Sequence, residues 1–221
     1  MPRTARAKTG GIACHVTNRG NGRQKVFHDE SDYDTFLALL ANSFSRVPMR
    51  LLGFCLMPNH FHFVVWPRSD DDLGRWMQWL TTSHVRRHHN RHGGSGHVWQ
   101  GRFKSFPVQQ RPPTAAERAF GVIETENPVL AVLKYVERNP LRAGLVRRAE
   151  QWRFSSLRWA TGLEPYPQWL DASWLDRPQD WLIHVNAEEN AENLAAVRLC
   201  VEQGIPFGHE AWVREMMARD V

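Results

Sequence analysis

Met57-Pro-Asn-His-Phe-His-Phe-Val-Val-Trp66 reads as a tight turn running into a strand. Side chains on a strand alternate between faces, so His60 and His62 point one way. Phe61, Phe63 and Val65 then point the other way, into a core. The preceding Arg50-Leu-Leu-Gly-Phe-Cys-Leu-Met57 reads as a partner strand, and Pro58-Asn59 supplies the turn between them. The histidine pair therefore sits on a hairpin rather than on a loop. Two imidazoles on one strand face can share a metal ion. The same spacing also describes two ordinary polar residues on the wet side of a half-buried strand.

Outward from the hairpin, the flanks alternate between strand and helix patterns. Ile12 to Asn18 forms a first strand, closed by the Gly- and Asn-rich turn Arg19 to Arg23. Ser31 is the expected N-cap of a first helix, with Asp34 completing a loose capping box. Tyr33, Phe36, Leu37, Leu40, Phe44 and Val47 recur at helical spacing until Pro48 ends the run. Asp70 to Asp72 opens a second helix, where negative charge suits the dipole, and Leu73, Trp76, Met77 and Leu80 are its core stripe. A third helix starts with Asn127 as cap and Pro128 in the first turn. It ends near Asn139, because Pro140 disfavours helical backbone there. Its buried stripe is Val129, Val132, Leu133 and Val136. Tyr135 and Asn139 lie one turn apart on its flank, which packing could bring toward the histidines.

Charge separates the chain into two parts. Of 221 residues, with a net charge of +5, residues 1–162 hold 24 Lys/Arg against 12 Asp/Glu (+12). Residues 163–221 hold 4 against 11 (−7), and the two parts sum to the whole. Between residues 73 and 116 there are seven Lys/Arg, five His and no acid. A solvated surface normally mixes signs, so this stretch points to a polyanion, nucleic acid first. Arg86 and Arg87 on the second helix, and Arg102 and Lys104 on the segment His97 to Val108, are the candidate phosphate contacts. Trp99 and Phe103 either stack on bases or belong to the core. Three scattered cysteines form no CxxC pair and argue for a reducing compartment. With no apolar run near the ~18 residues of a membrane span and no signal peptide, a cytoplasmic protein is expected.

His60-Phe-His62, Trp99-Gln-Gly-Arg-Phe-Lys-Ser105 and Tyr135-Val-Glu-Arg-Asn-Pro-Leu-Arg-Ala-Gly-Leu-Val146, in that order, resemble the REP-associated tyrosine transposases. These are single-tyrosine HUH nucleases related to the transposases of small single-strand insertion sequences. The resemblance runs from about Ile12 to about Trp159. It implies an α+β, ferredoxin-like fold: an antiparallel sheet with the histidines on a central strand, helices packed on it, and the tyrosine on a helix. It also implies cleavage and rejoining of single-stranded DNA beside palindromic hairpins, with Mg²⁺ or Mn²⁺, through a 5′-phosphotyrosine. Carried onto this chain, Tyr135 is the nucleophile, and His60, His62 and Asn139 are the metal ligands. Imidazole alone would suit Zn²⁺ equally well. One tyrosine allows one covalent strand per chain, so the active species is a monomer using the site in turn or a homodimer.

Two alternatives stay open: a non-catalytic protein that binds hairpin nucleic acid, and a Zn-dependent phosphodiesterase in which Tyr135 only packs. The expected organisation is a nuclease domain over 1–162 and an acidic, mainly helical extension over 163–221. Helical patterns there run around Glu189–Gln203 and His209–Ala218. The extension could be a cap, a partner-binding tail or an internal mimic of nucleic acid.

Overall fold

In a computed structural model, which describes residues 9–110, 127–171 and 177–219, four strands form one antiparallel sheet. The strands are β1 (Ala13–Arg19), β2 (Met49–Met57), β3 (His60–Pro67) and β4 (Lys104–Val108). Their spatial order is β2-β3-β1-β4. Helix α1 (Glu30–Ser43) joins β1 to β2, and α2 (Asp72–His92) leads from β3 toward β4. This is the ferredoxin-like βαββαβ arrangement that the sequence resemblance implies. It puts β1 and β3, the two central strands, side by side, with Thr17 opposite His62 and Arg19 opposite His60.

Helices α1 and α2 cover one face of the sheet. Phe36, Leu40, Trp76, Met77 and Leu80 meet Val16, Phe54, Phe61, Phe63 and Val65 there, all of them fully buried. The alternation read in Met57–Trp66 therefore holds, and the odd-numbered β3 residues are the core. The opposite face is covered by α3 (Pro128–Glu137), whose Val129, Val132, Leu133 and Val136 pack on Leu52, Val64, Phe106 and Val108. Asn127 Oδ1 accepts from the Val129 amide at 3.0 Å, so the expected cap and its proline stand as read. A break of one residue at Arg138 separates α3 from the short α4 (Asn139–Arg142). The chain thus turns on past Asn139 instead of stopping at it.

Gly53 lets α3 come close. A Cβ on it would stand 2.4 Å from Leu133 Cδ2 and 3.0 Å from Ser156 Oγ. The β2–β3 register also shifts between Leu51 and Gly53. At such a bulge two successive residues face the same way, so Leu51 and Phe54 both belong to the α1/α2 side while Leu52 belongs to the α3 side.

Residues after 150 close the sheet's open edges. Along β2, Leu56 N donates to Phe154 O (2.9 Å), Trp152 Nε1 to Leu56 O (2.8 Å) and Asp171 N to Leu51 O (2.8 Å). Along β4, Phe207 N donates to Pro107 O (2.8 Å) and Gln109 N to Phe207 O (2.9 Å). Unpaired edges invite association with other strands, and these contacts remove that liability. After α5 (Leu157–Ala160), helix α6 (Trp181–Asn186) and helix α7 (Ala191–Gln203) pack on α3, and α8 (Glu210–Ala218) ends the described chain. Of the three roles left open for the acidic region, these contacts are those of a cap.

Three local expectations are corrected. Asp29, not Ser31, caps α1: its carboxylate accepts from Asp32 N at 3.1 Å, while Ser31 lies inside the helix and binds Arg91. Helix α1 stops at Ser43, five residues before Pro48, because the chain turns over Ser43 to Val47. Trp99 is 5% exposed and packs with Phe27, Phe61 and His84 at ring distances of 6.2, 5.0 and 5.2 Å. Its ring is core and is not presented for stacking on bases.

Candidate active site

The even-numbered face of β3 and the matching face of β1 carry the chemistry. His62 is 4% exposed, and its Nδ1 lies 2.8 Å from Nε2 of His15. His15 sits opposite Val64 in the β1–β3 register and so is the diagonal neighbour of His62. His60 Nδ1 lies 2.7 Å from Asn59 Oδ1. An amide oxygen can only accept, so His60 carries its proton on Nδ1 and presents Nε2 as a lone pair. His62 has its Nδ1 engaged with another imidazole, so one ring donates and the other accepts. Such outer partners commonly fix the tautomer and ring angle of a metal-binding histidine.

Burial holds these rings neutral. It pulls His15 down to about 3, with Phe106 stacked on it at 4.7 Å. Burial, with help from Arg19 and Arg142, pulls His60 down to about 4. Burial, then His60, His15 and the same arginines, pushes His62 well below its ordinary value. Neutral imidazoles near pH 7 are what a divalent ion requires of its ligands, so the donor set fits a cation.

Tyr135 meets this group from α3. Its ring centroid is 5.8 Å from that of His62 and 6.3 Å from that of His15. The Arg142 guanidinium lies over the tyrosine ring at 4.2 Å and donates to Tyr135 O at 2.9 Å. Burial raises the tyrosine's pKa, and Arg142, Arg198 and Arg19 oppose that rise. Arg142 is in turn held by Glu189, at 2.8 and 2.9 Å, and Glu189 also pairs with Arg138 at 3.4 Å. One residue of the acidic region therefore reaches the tyrosine through an arginine. Asn139 opens α4, is 8% exposed, and its carbonyl accepts from Ala143 N.

The arrangement brings His60, His62 and Tyr135 together on one face. The proposed DNA contacts are spread more widely. Arg86 and Arg87 line a cleft of about 360 Å³ with Arg46 between α1 and α2, on the other side of the sheet. Arg102 lines a larger cleft of about 730 Å³ with Arg75, Gln78 and Asn18. Lys104 is exposed on the β4 edge, and its Nζ donates to Glu202 O at 3.2 Å. Sequence reasoning missed His15, Arg19 and Arg142. Arg142 stands seven residues after Tyr135, two helical turns on, which is a signal that could have found it. His15 has none, because only the strand register joins it to His62.

The site is thus a pair of histidines on a central strand of a ferredoxin-like sheet, facing a tyrosine on a covering helix. Residues 8–119 match the family described as "Transposase IS200 like", about half of the chain, and the chain belongs to that family. The match includes His60 and His62 and ends before Tyr135. A Haemophilus influenzae protein assigned as a REP-associated tyrosine transposase is 22% identical over 150 residues, covering 62% of this chain and 76% of that protein. Among solved structures, a REP-associated tyrosine transposase bound to a REP hairpin superposes with a TM-score of 0.53 at 19% identity. That match covers 80% of this chain and 99% of the other, and it agrees with the fold described above. A Deinococcus radiodurans transposase structure is similar over 54% of this chain and 90% of its own, with 17% identity and a TM-score of 0.37. Among the described residues, no helix is long and apolar enough to cross a membrane.

Proposed function

We propose that this transposase-family protein is a single-strand DNA endonuclease and strand transferase acting at palindromic hairpins, with Tyr135 as nucleophile. The observation that carries the reading is the meeting, on one sheet face, of His60 and His62, each with Nδ1 engaged, and the Tyr135 ring. His60, His62 and Asn139 would hold Mg²⁺ or Mn²⁺. Such an ion polarises a phosphodiester and neutralises charge building on its oxygens. Residues 1–162 carry this chemistry, and α6 and α7 of the acidic extension, residues 163–221, cover the helix that presents the tyrosine.

The work of the chain's own residues follows from their placement. Tyr135 Oη attacks phosphorus in line, loses its proton as the new P–O bond forms, and becomes a 5′-phosphotyrosine. The departing 3′ oxygen takes up a proton and leaves as a hydroxyl. A second 3′-hydroxyl can reverse these steps and join strands without ATP, because the ester conserves the bond energy. Arg142, stacked on the ring, favours the phenolate that attack requires. Desolvation opposes it, so the tyrosine stays protonated until substrate arrives. Arg19 and Arg198 add positive charge near the tyrosine for a phosphate. Single-stranded or hairpin DNA is the partner and the cytoplasm the setting of this reading.

Incubation with labelled hairpin DNA and Mn²⁺, followed by a denaturing gel, tests it. A covalent adduct is expected from the wild type, none from Tyr135→Phe, and none from His62→Ala. Cleavage at the wild-type rate by Tyr135→Phe would overturn the assignment.

A further inference from the structure

The outer side of the α1/α2 layer carries a second group of histidines, across the sheet from His60 and His62. His28 lies just before α1, while His88 and His92 are one turn apart on α2. One ring nitrogen from each lies within 4.8 Å of those of the other two. The ring centroids are 4.8 Å apart for His28–His92 and for His88–His92, and 5.9 Å apart for His28–His88. We propose that His28, His88 and His92 form a second metal site, taking a Zn²⁺-class late transition ion through three imidazole nitrogens.

Two further features make this more than a basic surface. Asp32, whose side chain is only 6% exposed, lies 2.8 and 3.0 Å from His92 Nε2 through its two oxygens. A carboxylate there places the proton on Nε2 and leaves Nδ1 as the ligand. This is the carboxylate–histidine pairing found behind metal-bound imidazoles. The same Asp32 accepts from the backbone N–H of His28 at 2.8 Å, so one buried carboxylate holds the His92 ring and the backbone that carries His28. Both ring nitrogens of His88 are shielded from solvent and lack a hydrogen-bond partner. An unpartnered buried imidazole is costly, and ligation would satisfy one of its nitrogens.

Charge and geometry permit the ion. Arg91, next to His92 in the chain, is ion-paired to Asp29 at 2.7 Å and to Asp32 at 3.5 Å. Lys25 Nζ is turned to the His28 carbonyl at 3.3 Å. Tetrahedral Zn–N bonds of ~2.0–2.1 Å need nitrogens about 3.4 Å apart, so the three must close by on the order of 1.4 Å. His28 is exposed and can make that adjustment by side-chain rotation toward the His92 ring that Asp32 holds. The exposure of this edge leaves the fourth position to water. Three imidazoles and no carboxylate in contact with the ion select Zn²⁺, Co²⁺ or Ni²⁺ over Mg²⁺. The bound ion would tie the start of α1 to the last turn of α2, inside the acid-free basic stretch.

The test uses the full chain carrying His60→Ala and His62→Ala, so that the other pair cannot report. Zn²⁺ binding is measured by competition with a chromophoric chelator, and Co²⁺ coordination by its visible spectrum. One equivalent of Zn²⁺ and a tetrahedral Co²⁺ spectrum are expected. Adding His88→Gln should weaken binding at least about tenfold and abolish the spectrum, with far-UV circular dichroism unchanged. His89→Gln and His97→Gln, on neighbouring positions, should leave both intact. Failure to bind one equivalent, or equal losses from His88→Gln and His89→Gln, would overturn the site and leave only a histidine-rich surface.

Discussion

Under α1 and α2 the sheet meets rings on rings: Phe27 stacks on Tyr33 at 4.6 Å, Tyr33 on Phe154 at 4.0 Å, and Phe36 faces Phe61 and Phe63. Ser43 and His84 are buried on that side too, but under α3 buried polar groups bond to one another. His15, His62, Glu137, Asn139 and Ser156 are all buried there. Glu137 has no exposed surface, and its oxygens take Ser156 Oγ at 2.7 Å, Trp181 Nε1 at 2.7 Å and Arg177 Nη2 at 3.3 Å. An apolar face needs little beyond shape and volume, and it tolerates substitutions that conserve both. A polar face must satisfy each buried group individually, which costs stability and fixes one arrangement. The first face holds the fold together, and the second holds Tyr135 in place.

Acid should strain both faces, and a metal should separate them. His15 and His84, one on each face, and His60 all have pKa values lowered by burial, to about 3, 3 and 4. Their unfolded-state value is near 6.5, so the unfolded chain binds more protons as pH falls below it. Stability is therefore full above about pH 6.5. It should drop by about 1.4 kcal/mol per pH unit for each ring down to its folded value. Denaturant midpoints between pH 7 and pH 4 should fall steeply. Mn²⁺ held by His60 should raise the whole curve and lose that gain only below about pH 4, where His60 protonates, while leaving the part due to His84 unchanged. Identical curves with and without Mn²⁺ would remove the distinction between the two faces.

Glu137→Ala attacks the polar face alone. It strands Arg177, whose side chain is 8% exposed, and leaves Trp181 Nε1 without its acceptor. The cost should be about 3–5 kcal/mol, and the thermal midpoint should fall by roughly 10 °C or more. A fall of only a degree or two would mean that the C-terminal cap reorganises freely. The smallest effect is expected at the surface. Arg102→Ala should weaken hairpin binding and make the slope of log affinity against log salt shallower by about one unit. An unchanged slope would take the 730 Å³ cleft off the DNA path.

Periodicity and punctuation carried far in this chain. The β2–β3 hairpin, the period-two split of His60 and His62 from Phe61 and Phe63, the Asn127–Pro128 start of α3 and the helices near Ala191–Gln203 and Glu210–Ala218 are all legible in order along the sequence. They rest on local physics: alternation on strands, the 3.6-residue helical turn, and residues whose backbone preferences end one element and start another. Trp99 was the instructive miss, because an aromatic among basic residues looks the same whether it stacks on bases or fills a core. The cap at Asp29 went wrong for a related reason: two acceptors lay within three residues of each other, and only backbone geometry chose between them.

The sequence by itself determined which residue types could bind a cation and attack a phosphate, and where on helix and strand each would stand. Tertiary structure alone decided which of them meet. His15 reaches His62 only because β1 pairs with β3 in one register. Glu189 reaches Arg142 only because the acidic region folds back over α3. Contacts between residues 47 positions apart leave no periodic trace in the chain. They arise from packing, in which each face is chosen by what covers it.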